Sequence, residues 1–280
     1  MKIILDSTCD LPEYITKKYD IEIVPVYVNF GDKSYLDRVE LKPREFYELL
    51  RQGGELPTTA APNPNDFLQK LSSFKEHSSY FVGTVASNLS ATYQSAKIAV
   101  KRMKDTKIYL FDSFGGSGLL GLLAIAAAKL QRKGVEEDKI LDELLEIRKK
   151  SYLVGYVDNL NNLLRSGRIS RVKHFVATAL NTKPILEITT SGELRPIGRA
   201  RGKENAVKKL IEKVEWRAKK DTTYDLMVTH ADDIETANNV AEALSNKLSI
   251  NERIVNYLTP ALGTHLGLGT VTATISPVQE

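Results

Sequence analysis

The chain has 280 residues, 42% of them hydrophobic and 26% charged, with 39 Lys and Arg against 35 Asp and Glu. That length supports a large core, expected here as two domains, 1–150 and 151–280. The small positive excess is spread along the chain, which argues against a nucleic-acid binder with its concentrated basic tract.

The single cysteine, Cys9, cannot form an internal disulfide, a composition that fits a reducing cytoplasm. The scattered histidines His77, His174, His230 and His265 give no zinc-ligand spacing. "MKIILDS" is too short an apolar run for a secretory signal. The longest apolar stretch, "GLLGLLAIAAAKL", falls short of the ~20 residues that span a bilayer, so no stable membrane insertion is expected.

In chain order, "KIILD" predicts a strand, and "LPEYITKKY" a helix entered through Asp10 with Pro12 in its first turn. "IEIVPVYVNF" is β-rich and runs into the turn "GDKS"; the amphipathic helix "PREFYELLRQGG" follows, closed by glycines. After the loop "ELPTTAAPN", Asn63 and Pro64 open the helix "PNDFLQKLSSF". "SYFVGTV" and "KIYLFD" read as strands, followed by the helices "SATYQSAKIAVKRM" and "GLLGLLAIAAAKLQRKG". This alternation predicts an α/β first domain with a mainly parallel sheet and flanking helices. "VEEDKILDELLEIRKK" predicts a charged, exposed helix at the boundary. Beyond it come the strand "SYLVGYV", a short helix "DNLNNLLRSG" capped by Asp158, and a hairpin around Ser191 and Gly192. The helices "KENAVKKLIEKVEWRAKK" and "IETANNVAEALSNKL" then alternate with the strands "YDLMVTH", "RIVNYLT" and "TVTATISPV". A mixed sheet with helices on one face is expected for the second domain.

Several stretches are candidates for chemistry. Gly116, Gly118 and Gly121 fit G-x-G-x-x-G between a strand and a helix. The next element is another helix, not the second strand a dinucleotide fold needs, so close helix packing is the preferred reading. Asp6, in "DSTCD", is equally a cleft acid or a turn former. "ASNLSATYQSA" puts Ser90 at the expected N-cap of a helix, followed by Ala91 and Thr92. Unpaired N–H groups at a helix start suit a carboxylate or phosphate, although a serine there is commonly only a cap. "LPTTAAPN" adds Thr58 and Thr59 at the same sheet edge. Arg168 follows Gly167 and is either a planar fork for an anion or a solvated turn residue. "ALGTHLGLG" sets His265 in a glycine-rich turn between two strands, within reach of the cleft between domains.

In their order, "DSTCDLP", "LPTTAAPN", "ASNLSATYQSA", "LLRSGRIS", "NTKPIL" and "GTHLGLG" resemble the DegV family, bacterial fatty-acid-binding proteins that serve as carrier subunits of fatty acid kinase. The resemblance covers essentially the whole chain. It implies two α/β domains with a long-chain fatty acid, such as palmitate, at their junction. By that resemblance Thr59 and Ser90 are head-group ligands with the Ala91 N–H and Thr92 nearby. His265 matches the histidine beside the carboxylate, and Arg168 the arginine implicated in presenting the acyl group for phosphorylation. A separate ATP-dependent kinase subunit would supply that chemistry, and the carrier would need no cofactor, metal or catalytic residue. The chain departs from the family pattern at Ala60, Ala61, Pro62 and Asn63, where Ser-Gln-Pro-Ser is usual. It also has Ser166 for the first glycine of "GGRI", and Leu266 and Leu268 in the final turn. None of these changes removes Thr59, Ser90, Arg168 or His265.

Burying a C16 tail gains roughly 0.8 kcal/mol per CH₂, about 12 kcal/mol gross, so the tail would supply affinity. A buried carboxylate needs hydrogen bonds, which the hydroxyls, a helix-start N–H and His265 can give. Helices such as "GLLGLLAIAAA" can provide walls for the acyl tunnel, whose lining residues the sequence does not show. Two other readings compete. One is a serine esterase with Ser90 as nucleophile, His265 as base and an acid such as Asp6, although Ser90 lacks a G-x-S-x-G elbow. The other is a sugar- or nucleotide-phosphate binder using the same anion pocket without a complete phosphate loop.

Overall fold

The computed structural model describes residues 1–158, 160–168 and 182–278. From the N-terminus run β1 (Lys2–Asp6), α1 (Glu13–Lys18), β2 (Ile21–Val24), β3 (Tyr27–Phe30), β4 (Lys33–Leu36), α2 (Pro43–Gln52) and β5 (Thr58–Ala60). Next come α3 (Pro64–Ser72), β6 (Ser79–Thr84), α4 (Thr92–Arg102), β7 (Lys107–Asp112), α5 (Gly118–Arg132) and α6 (Glu137–Lys150). The rest comprises β8 (Tyr152–Tyr156), α7 (Asn161–Ser166), β9 (Thr182–Ile188), β10 (Leu194–Arg201), α8 (Lys203–Arg217) and β11 (Tyr224–His230). It closes with α9 (Ile234–Ser245), β12 (Ile250–Tyr257), α10 (Pro260–Leu266) and β13 (Val271–Pro277).

The first sheet has the order β2-β1-β6-β7 and is parallel throughout. Every residue of β1 and β6 is buried, as strands covered on both faces require. Ile4, Tyr80 and Val82 face α3 and α4, while Ile3, Leu5 and Phe81 face α5. A small antiparallel sheet, β4-β3-β5, stands beside it. Its hairpin turns on Gly31 and Asp32 alone, so Lys33 and Ser34 of the expected turn belong to β4.

The larger sheet has the order β10-β9-β8-β13-β11-β12 and is mixed, with β11 and β12 parallel and its other pairs antiparallel. Helices α8 and α9 cover one face through Leu210, Val214, Val240 and Leu244. The opposite face is not open: Leu153, Ile188 and Met227 join the cluster built around α5. Helices on one face only therefore needs correcting, because α5 lies between the two sheets. Its glycines make this possible. A Cβ at Gly118 would stand 2.6 Å from Thr274 Oγ1 of β13, and one at Gly121 would stand 2.8 Å from the Cys9 carbonyl oxygen. "GSGLLG" is thus a close-packing device, as its missing second strand indicated.

Other local expectations shift. Helix α6 is amphipathic rather than simply exposed, burying Ile140, Leu144, Ile147 and Arg148. The Arg148 guanidinium donates to the carbonyls of Ser113 (2.9 Å), Phe114 (2.8 Å) and Thr189 (2.7 Å), joining the loop after β7 to the β9–β10 hairpin. Asp10 does not cap α1, whose N-cap is Pro12. It sits at φ 52° and ends a 3-10 turn over Ser7–Cys9. Asp158 does not cap α7 either; Leu160 holds that place, and Asp158 instead accepts from Lys183 at 2.6 Å. Ile169, Ser170, His174 and Asn181, which belong to sequence features noted above, lie outside the described residues.

Candidate functional site

Loops at the C-terminal ends of β1 and β6 form one side of the site. Asp6 orders them: its carboxylate accepts from Thr8 N (2.9 Å), Thr8 Oγ1 (2.5 Å) and Val85 N (2.7 Å). Burial raises its pKa against these hydrogen bonds. Asp6 is fully buried and does not line the cavity, so the turn-forming reading holds. Beyond Val85, Ser90 lies one residue before the helix cap. The cap position is Ala91, with helical φ and ψ, and α4 starts at Thr92. Ser90 Oγ accepts from the Thr92 N–H at 3.3 Å and bonds Thr92 Oγ1 at 2.8 Å.

Thr59 lies on β5, a strand where a loop was expected, paired with Val28 of β3. His265 also departs from expectation. "ALGTHLGLG" is not a simple turn: Pro260 to Leu266 form α10, with His265 in its last turn and Gly267 at the C-cap. Helix α10 packs between α2 and α7, which brings His265 Nε2 to 2.8 Å from Thr59 Oγ1. The Nδ1 of the ring is buried without a partner among the described residues. Burial pulls the imidazole pKa down to about 4, and the Arg168 charge pushes it the same way. The ring is therefore neutral at pH 7, with one nitrogen committed to Thr59 and the other available.

Arg168 follows the left-handed Gly167 (φ 71°) that ends α7. Its Nη1 donates to the Ser166 carbonyl at 2.5 Å and its Nε to the Leu89 carbonyl at 3.4 Å. Among the described residues it forms no ion pair, so none of their carboxylates neutralises its charge.

Thr59, Ser90, Arg168 and His265 line one cavity of about 970 Å³, solvent at its mouth included. The lining comes from both sides of residue 150: Val26, Val85 and Leu89 from one half, Leu153, Leu163 and Leu186 from the other. Ala91 lies instead on an outer groove with Asn88 and Gln94, and Thr92 is buried beneath Ser90. Arg168 borders the cavity, that outer groove and a second outer cleft containing Thr58 and Arg165.

The cavity also has hydroxyls that sequence reasoning missed. Ser117 bonds Thr229 at 2.9 Å, and Thr229 bonds Thr272 at 2.7 Å. Ser117 and Thr272 line the cavity, as do Thr8 and Thr270. Threonines on β-strands give no sequence signal beyond β propensity. The suggested tunnel wall, "GLLGLLAIAAA", is not one: α5 spends its apolar side chains between the sheets, and only Gly116 and Ser117 ahead of it reach the cavity.

A family model described as "Uncharacterised protein, DegV family" matches residues 1–278. The chain belongs to the DegV family. It is 32% identical to a protein of Thermotoga maritima named as a fatty acid-binding protein, over 97% of this chain and 96% of that one. A crystal structure of a DegV lipid-binding protein from Thermotoga maritima superimposes with a TM-score of 0.91 at 31% identity, covering 100% and 99% of the two chains. DegV from Bacillus subtilis, described as a fatty acid binding protein, gives a TM-score of 0.90 at 28% identity over 99% and 98%.

Within this DegV chain the geometry does not assemble a serine-hydrolase triad. Ser90 Oγ bonds Thr92, while His265 bonds Thr59. Asp6 is spent on Thr8 and Val85. A nucleophile needs its base within hydrogen-bond reach, and the base needs an orienting acid. Among the described residues no group of His, Cys, Asp and Glu is placed to hold a metal ion, and no helix is long and apolar enough to cross a membrane.

Proposed function

We propose that this DegV protein binds a long-chain fatty acid of about palmitate length in the cavity and presents its carboxylate to a partner kinase for acyl-phosphate formation. One observation carries the binding half: a largely apolar cavity whose charge and imidazole, Arg168 and His265, gather with Thr59 and Ser90 in its lining. The relatives' names support it, since both the Thermotoga maritima and the Bacillus subtilis proteins are described as fatty-acid-binding. The head-group ligands are Thr59, Ser90 and His265, with the alkyl chain against Leu153, Leu163, Leu186 and Ile188. The ligand sits between domains dividing near residue 150.

The position of Arg168 supports the presenting half. It stands between the cavity and two outer depressions, so the same guanidinium faces a bound carboxylate and an approaching phosphoryl donor. The kinase partner and a cytoplasmic setting are what the family resemblance adds. Titrating the delipidated protein with palmitate, and separately with inorganic phosphate, tests the reading. Saturable palmitate binding without phosphate binding is expected; phosphate binding alone would favour a phosphate-ligand protein. Arg168→Ala should keep the lipid and lose acyl-phosphate formation when an ATP-dependent fatty acid kinase is added. Loss of both would return Arg168 to the head-group shell.

A further inference from the structure

Helix α10 carries His265, yet it has no N-terminal cap of its own. The Thr259 side chain makes no capping bond, and its Oγ1 has no partner among the described residues. Two aspartates distant in sequence stand there instead. Asp37 Oδ1 accepts from the Ala261 N–H at 3.3 Å, while its Oδ2 accepts from Ser7 Oγ at 2.5 Å. Asp10 Oδ1 accepts from the Thr259 N–H at 2.8 Å, and the Asp10 carbonyl accepts from Asn256 Nδ2 at 2.7 Å. Both aspartates are fully buried. Buried carboxylates are costly unless hydrogen-bonded. Both Asp37 oxygens have partners, whereas Asp10 is held through Oδ1 and its Oδ2 has none among the described residues, so Asp37 is the more firmly fixed anchor.

The flank of the helix is equally constrained. Tyr47 donates to the Leu258 carbonyl at 2.9 Å, and a Cβ at Gly263 would lie 2.6 Å from the Tyr47 hydroxyl. A helix of seven residues is too short to hold itself together in water. Its direction is set by what grips its first turn, and His265 rides on its last.

We propose that Asp37 and Asp10 are positioning residues for His265: by capping α10 from behind the cavity wall they fix where the imidazole meets Thr59 and a bound carboxylate. This rests on the fatty-acid reading for its affinity arm only. Asp10 of "DSTCD" and Asp37 then belong to the head-group apparatus without lining the cavity themselves.

A double-mutant cycle tests this with palmitate as the probe. Asp37→Ala is expected to weaken binding about tenfold, the size of a lost helix cap. Asp37→Asn keeps the acceptor and should stay within about twofold of the wild type. In a His265→Ala background, Asp37→Ala should change affinity by less than about twofold. An equal loss in both backgrounds would overturn the proposal. If Asp37→Ala does not fold, Ser7→Ala removes the hydroxyl that orients the carboxylate and carries the same cycle.

A second readout needs no lipid. The His265 ring resonance, identified by its absence in His265→Ala, should move in Asp37→Ala, with its titration midpoint rising from about 4. An unmoved resonance overturns the positioning role. A moved resonance in a protein that binds no palmitate supports that role and counts against the fatty-acid reading alone.

Discussion

In the proposed site, His265 is the residue where protonation and ligand binding would meet. Unliganded, the ring is held neutral because burial and Arg168 both disfavour its charge, taking its pKa to about 4. A carboxylate placed beside the ring reverses the sign of the local field and favours the imidazolium. Binding therefore takes up a proton, and affinity should rise as pH falls from 7 to about 5.5. Calorimetry in buffers of different ionisation heat measures that uptake directly. Affinity that is flat or falls over this window contradicts the assignment. His265→Ala should abolish the pH dependence and weaken binding by about 10- to 100-fold, the range of a hydrogen bond to a charged group.

The residues of this site were legible because each is a chemically distinctive side chain beside a glycine or a helix start. Their partners were not. Ser117 and Thr272 reach the cavity through strand and cap geometry, and Asp10 caps a helix some 250 residues away, with |i−j| of 249 to Thr259. No local pattern encodes such a contact; the sequence offered only the adjacent helix α1 as its partner.

Among the elements, α5 decides how the two sheets meet. Alanine at Gly121 would gain about 1 kcal/mol of helix propensity. Against this, the new Cβ would stand 2.8 Å from the Cys9 carbonyl oxygen, a backbone atom that cannot swing away. Overpacking of that kind costs about 1–3 kcal/mol, so the clash wins. Gly121→Ala is expected to lower the urea midpoint, and a midpoint equal to or above the wild type would show that α5 has slack. Most elements could be read from their pattern, since β1 and β6 are short apolar runs buried on both faces while α3 and α9 keep a helical period near 3.6. The exceptions are short. β5 has three residues and α10 seven, the latter with Gly263 inside it and Gly267 at its C-cap. Elements of that size are held by tertiary packing, and the glycines around His265 pointed to a turn.

Over the whole molecule, buried titratable groups oppose one another. Burial raises Asp10 to about 7 and Asp37 to about 6, despite their hydrogen bonds. For these carboxyls the folded state binds protons that the unfolded chain does not, so their contribution is favourable near pH 4 and is lost as pH rises through 6 to 7. Burial lowers His230 to about 4, as it does His265. These rings act the other way, losing stability as pH falls below the unfolded value of about 6.5. Asp10→Asn keeps an acceptor for the Thr259 N–H and removes one side of this balance. Relative to the wild type it should be more stabilising at pH 8 than at pH 5 in urea melts. A difference that does not grow with pH would mean that Asp10 does not titrate in this range.

The same architecture forms an apolar cavity where the halves of the chain meet, lined by Thr59, Ser90, Arg168 and His265 among others. Extraction of the denatured, purified protein into organic solvent followed by mass spectrometry asks what fills it. Long-chain fatty acid near one equivalent is the predicted result. Protein that is repeatedly lipid-free, and that does not take up added palmitate, would contradict it.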